Sequence, residues 1–162
     1  MTPDKTFLPQ RGMYRDLIAF RKAECIYDMT VYFAGTYLDR GDRTKDQMVQ
    51  AARSGKQNIA EGSSAGSTSK EMEIKLTNVA KASLQELLLD YEDYLRTRSL
   101  CLWGKDDART LRARRVCAAH CDTAFYMDAV QSRTDETVAN IAIVLIRQTD
   151  VLLSGLIERQ KA

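Results

Sequence analysis

The stretch Arg53–Ser54–Gly55–Lys56–Gln57–Asn58–Ile59–Ala60–Glu61–Gly62 decides how this chain is read. It carries two cations three residues apart, an Asn58–Ile59–Ala60 triplet of packing character, and an acid followed by glycine. Residues three apart share a helix edge, and a glycine just past a periodic run is a common stop. Taken alone, the stretch predicts the end of a packed helix that is basic along one side.

Working outward, every long segment repeats at helical spacing and none alternates as a strand would. The first helix is expected over about 14–39, ended by Arg40–Gly41–Asp42 with glycine at the C′ position. Its main stripe is Leu17, Phe20, Glu24, Tyr27, Val31, Ala34 and Leu38, and a second runs through Ala23, Ile26, Thr30, Phe33 and Tyr37. Thr44–Lys45–Asp46–Gln47 fits a capping box for a second helix over 45–61, and Ser63–Ser67 reads as a flexible turn. A second box, Thr68–Ser69–Lys70–Glu71, opens the longest helix, 69–98, with Leu76, Ala80, Leu84, Leu87, Tyr91 and Leu95 along its seam. At ~1.5 Å per residue such a helix reaches roughly 45 Å. Asp106 or Asp107 caps a helix over 107–132, and Thr134–Asp135–Glu136 starts a last one over 135–159. Val138, Ile141, Leu145, Thr149, Leu152 and Leu156 line this last helix.

The expected fold is therefore all-α: an antiparallel four-helix bundle with one additional helix inserted before the last bundle helix, following a flexible segment at 1–13. The first and last helices are apolar over more than one stripe. That surplus points to a homo-oligomeric interface unless the inserted helix covers it.

Bulk composition agrees with a packed domain. The chain has 162 residues, 44% of them hydrophobic and 28% charged. Both prolines, Pro3 and Pro9, precede the first periodic segment. With 24 basic and 22 acidic residues the net charge is +2, so nucleic-acid binding would have to come from local patches. The first ten residues lack an apolar signal core, and the run Ile141–Ile146 is far too short to span a membrane. A cytoplasmic protein with no membrane partner is expected, its four cysteines reduced.

Chemistry-bearing motifs are few. Cys117, His120 and Cys121 share a helix face but lack the second ligand pair of a structural zinc site, so no metal is expected. Gly62–Lys70 has the wrong spacing for a phosphate loop and follows a helix instead of a strand. The single histidine anchors no triad, and the acids Glu86, Asp90, Glu92 and Asp93 are followed by Arg96 and Arg98 as a charged helix surface would be. No catalytic residue and no cofactor is expected, and the chain is read as a non-enzyme.

The basic positions carry the functional expectation. Arg53 and Lys56 form one short edge. Lys105, Arg109, Arg112, Arg114 and Arg115 form another, opposed only by Asp106 and Asp107. Cations so spaced suit phosphate contacts, which give affinity without sequence readout. Arg53, Lys56, Arg109, Arg112 and Arg115 are the nucleic-acid-binding candidates; a merely solvated helix face is the alternative.

The Asn58–Gly62 ending, together with Glu71, Leu76, Ala80 and Ala82–Ser83–Leu84–Gln85–Glu86–Leu87, resembles the "four helix bundle protein" family. That family includes ribosomal RNA intervening-sequence proteins. Lys22–Ala23 and Tyr27–Asp28–Met29–Thr30 fit the same pattern, and the likeness spans roughly 14–98. Arg115–Met127, Ala139–Ala142 and Leu145–Asp150 resemble the variant with a C-terminal suffix region. The resemblance implies a homo-oligomer, a pentamer by analogy with the accessory variability proteins of retroelements. It also implies RNA or DNA binding, contact with a reverse transcriptase or other protein partner, and Arg53 and Lys56 as phosphate contacts. An oligomeric protein–protein adaptor that binds no nucleic acid is the rival expectation.

Overall fold

Helical periodicity without internal proline gives helices throughout. In the computed structural model, which describes residues 11–64 and 69–162, the chain forms α1 (Arg11–Tyr37), α2 (Arg43–Ser64), α3 (Lys70–Thr97), α4 (Ala108–Ala119), α5 (Thr123–Val130) and α6 (Asp135–Lys161). Among the described residues there is no strand, so the fold is all-α.

Several boundaries differ from the sequence reading. Residues 1–10 of the expected flexible segment lie outside the described residues, while Arg11–Gly12–Met13 already belong to α1. Helix α2 opens at Arg43, and Asp42 supplies the cap by accepting the Thr44 N–H at 2.9 Å. Gly62 is not a stop. It is buried inside α2, where a Cβ would sit 3.6 Å from both Leu76 Cβ and Thr77 Oγ1, so it marks a close approach to α3. The turn placed at 63–67 begins within α2, and residues 65–67 lie outside the described chain, as does Thr68. Ser69 caps α3, its side chain accepting the Met72 N–H at 3.1 Å.

The inserted helix expected over 107–132 is two helices. Helix α4 stops at Ala119 because His120 turns extended (φ −129°, ψ 135°). Asp122, also extended, then accepts the Ala124 N–H and opens α5. The carbonyls that a continuous helix would use are taken by side chains: Tyr126 Oη donates to His120 O at 2.8 Å, and Lys22 Nζ donates to Cys117 O.

Helix α1 packs against α2 and α6, and α3 also packs against α2 and α6. Phe33, Tyr91, Leu84, Leu87, Leu145 and Ile146 lie fully inside. A buried hydrogen bond of 2.8 Å joins Thr30 Oγ1 and Tyr91 Oη across the core. The two short helices cover part of the surplus apolar stripes, α5 on α1 and α4 on α6, while Val31 of α1 stays 44% exposed. The surplus by itself therefore no longer calls for an oligomer. Helix α6 is long and apolar enough by composition to cross a membrane, yet 56% of that stretch is buried against the other helices, as befits a core helix.

Helix α3 ends in a Schellman motif, with Leu100 N–H donating to Leu95 O at 2.9 Å and Ser99 N–H to Arg96 O at 3.2 Å. The motif needs a left-handed residue, and Ser99 fills it at φ 54°. No described glycine has positive φ, so Gly41 does not serve the cap role expected of it. Since Ser99 is exposed, Ser99→Gly removes only the Cβ strain and is expected to stabilise the protein by about 1 kcal/mol in urea unfolding. A loss of stability would contradict this account of the turn.

Candidate nucleic-acid interface

The segment before α4 is fastened to α6 by one buried asparagine. Asn140 Oδ1 accepts the Trp103 N–H at 2.9 Å, and its amide donates to Cys101 O and Glu136 O at 2.9 and 2.8 Å. Glu136 in turn accepts the Cys101 N–H at 2.7 Å. Thr110 Oγ1 donates to Gly104 O, closing the turn into α4, and Asp107 caps the helix through the Arg109 N–H. The result is a fixed platform for α4, whose sequence ARTLRARRVCAA holds arginine at 109, 112, 114 and 115 and no acid.

Thr110, Ala113 and Cys117 form the buried line of α4, which places Arg112 and Arg115 on the face directed away from the core. Both are exposed, as is Arg114, and none of the three guanidinium groups has an ion-pair or hydrogen-bond partner among the described residues. Arg109 differs. It pairs with Asp107 at 2.8 Å and stacks over Trp103 with 4.9 Å to the ring centroid. These bonds hold the Asp107 carboxyl below its ordinary range. Arg109 is thus already engaged in fixing the start of α4.

The second basic edge lies elsewhere. Arg53 is exposed on α2, whereas the Lys56 ammonium sits 4.7 Å from the Tyr27 ring centroid and is half-buried between α2 and α1. Helix α2 packs on α1 and α3 while α4 packs on α6. The packing therefore does not bring Arg53 and Lys56 together with the α4 arginines.

Another face of the molecule has the opposite sign. A groove between α2 and α3 is lined by Glu86, Asp90 and Asp93 with Gln47, Gln50, Ser54 and Leu89. Burial, then the Asp93 and Glu86 charges, raise the Asp90 carboxyl above its usual range. Asp93 pairs with Arg96 at 3.2 Å and Glu92 with Arg147 at 3.1 Å, but Glu86 and Asp90 have no ion pair among the described residues.

The cysteine–histidine turn is spent on packing. His120 stacks on Phe125, 3.7 Å between centroids and 4° between planes. Burial, followed by the nearby Cys121, Asp28 and Glu24 groups, pushes the Cys25 thiol up to about 12, and burial raises Cys117 as well. Both remain protonated at neutral pH, which makes them poor nucleophiles and poor ligands. No group of three histidine, cysteine or acidic residues among the described residues is arranged to hold a metal. Lys22 is the residue the sequence reading passed over: only 6% exposed, it directs its ammonium at the C-terminal carbonyls of α4. Its signal was its place on the buried line Ala19–Lys22–Ile26–Met29–Phe33, where a cation demands a partner. Set against family models, curated proteins and solved structures, the chain matches none of them.

Proposed function

We propose that this chain is a non-enzymatic nucleic-acid-binding accessory protein, built as an antiparallel four-helix bundle of α1, α2, α3 and α6 that presents α4 to phosphates. The observation that carries the reading is α4 itself: Arg112, Arg114 and Arg115 are exposed, unpaired by any acid among the described residues, and mounted on a platform fixed through Asn140. Backbone phosphates need cations of this kind and no base-edge readout. The acidic α2–α3 groove on another face repels the same polymer and so favours α4 as the landing surface. Arg53 lies apart from α4 and would reach the same strand only across an assembly of several copies. We place the oligomer contacts at the apolar side chains left outside, Leu89 at 59% and Val151 at 70% exposed, with a ring-like pentamer as the form.

The test is binding of a fluorescently labelled single-stranded RNA or DNA, followed by anisotropy across a salt series. Three phosphate contacts per chain predict a log–log slope of about −2 for single strands. Arg112→Glu with Arg115→Glu should abolish binding while leaving thermal unfolding unchanged, since both side chains are exposed. Salt-insensitive binding, or none by the native chain, overturns the proposal. The latter outcome would favour the adaptor reading, which draws on the exposed Val79 and Leu89 beside the acids of α3.

A further inference from the structure

Between α4, α5 and the start of α6 lies a cleft of about 460 Å³, within the size range of small-molecule sites. Its floor is aliphatic, from Ala113, Val116, Ala129 and Ile141, and three arginines line it, of which Arg109 is paired with Asp107 while Arg112 and Arg133 stand ready on the rim. Arg112 has no partner among the described residues. Arg133 is braced by its Nε–H, which donates to Ala129 O at 2.6 Å, and neither arginine forms an ion pair with a described residue. Trp103 forms part of the wall, and its indole N–H is buried without a hydrogen-bond partner among the described residues, which is costly unless a bound group accepts it. The three aromatic side chains of the lining are already engaged: Trp103 lies under Arg109, Phe125 is stacked on His120, and Tyr126 is buried edge-on to Phe125. The contact surface left open is aliphatic, which suits a flexible chain better than a flat base.

We propose that this cleft binds a small amphipathic anion, an aliphatic body with a single carboxylate or phosphate head, the body on Val116, Ala129 and Ile141 and the head on Arg112 and Arg133. A braced guanidinium offers two parallel N–H donors to such a head with little ordering left to do. The site shares Arg112 with the nucleic-acid reading but also needs Arg133 and the apolar floor, which phosphodiester contact on α4 does not, so the two readings fail separately.

Trp103 is the single tryptophan of the chain, so its fluorescence reports on the cleft directly. The full chain is titrated, below micelle-forming concentrations, with octanoate, octyl phosphate, 1-octanol and inorganic phosphate. At least one of the two octyl anions should give a saturable change, and which of them binds tighter identifies the head. Octanol should bind roughly tenfold more weakly than that anion, and inorganic phosphate should not saturate. Arg112→Gln with Arg133→Gln should weaken the anion by roughly tenfold and leave octanol unaltered. Val116→Phe should block both while cooperative unfolding is retained. The proposal is overturned if neither octyl anion saturates, if octanol binds as tightly as the anion, if inorganic phosphate binds as well, or if the double variant binds like the native chain.

Discussion

Gly55→Val is expected to destabilise the fold by about 3 kcal/mol, and Gly55→Ala by about 1 kcal/mol. The sign of the alanine effect is the informative part. In an exposed helix, glycine to alanine stabilises by about 1 kcal/mol through backbone entropy and helix propensity. At Gly55 a Cβ would lie 2.7 Å from Leu84 Cδ2 and 2.9 Å from Leu84 Cγ. Leu84 is only 1% exposed and cannot swing away, so α2 and α3 would have to part. The parting would strain the 2.7 Å hydrogen bond between Ser54 Oγ and Ser83 Oγ beside it. A double-mutant cycle isolates the contact: in a Leu84→Ala background, Gly55→Ala should become stabilising. Urea unfolding of the four proteins settles it, and a gain in stability for Gly55→Ala in the native background would sink the close-approach account.

That contact also explains what the stretch from Arg53 to Gly62 encodes. Gly55 lies against Leu84, Ser54 Oγ bonds Ser83 Oγ, and the Asn58 amide steadies Ser54 by donating to its Oγ at 3.1 Å, so one side of the motif seats α2 on α3. Helix content and the main seams were legible because period and proline placement are local signals. Gly62 misled for the reason Gly55 was overlooked: a glycine that admits a neighbouring helix looks, in one dimension, like a glycine that ends its own. The break between α4 and α5 was equally hidden. The extended His120 leaves carbonyls of α4 open, and one of them, Cys117 O, is taken by a lysine 95 residues away that no window around 117–122 contains.

The arginine-rich composition of α4 was visible at once, but its sorting was not. Arg109 and Arg112 look alike in sequence, yet one is tied to Asp107 and Trp103 while the other is unpaired. Lys56 reads as a surface cation and proves to lie against Tyr27. Arg133 drew no notice because it sits outside any charge cluster. It gains meaning only where α5 turns back to form the cleft wall with α4. Distinctions of this kind depend on which helix lies alongside, and helix pairing across distant segments is what periodicity leaves open.

Lys22→Met is expected to cost about 2 kcal/mol, and Lys22→Glu about 4 kcal/mol. The native ammonium supplies charged hydrogen bonds to Cys117 O and His120 O at the negative end of α4. Methionine keeps the volume and removes those donors, leaving Tyr126 Oη at 2.8 Å from His120 O as the remaining cap. A glutamate would set an anion against two carbonyl oxygens in a site that is nearly closed to water. The loss should be local before it is global: hydrogen exchange in α4 and α5 should quicken while the amides of α1, α3 and α6 keep their protection. Because Lys22 bonds α4 through backbone carbonyls and through none of its arginines, loosening α4 through it separates position from charge. Lys22→Met retains every arginine, so weaker RNA binding in that variant would mean that the arginines act only when α4 is held in place. Unchanged exchange in α4, with unfolding at the native urea concentration, would show instead that the ammonium does not fix the helix.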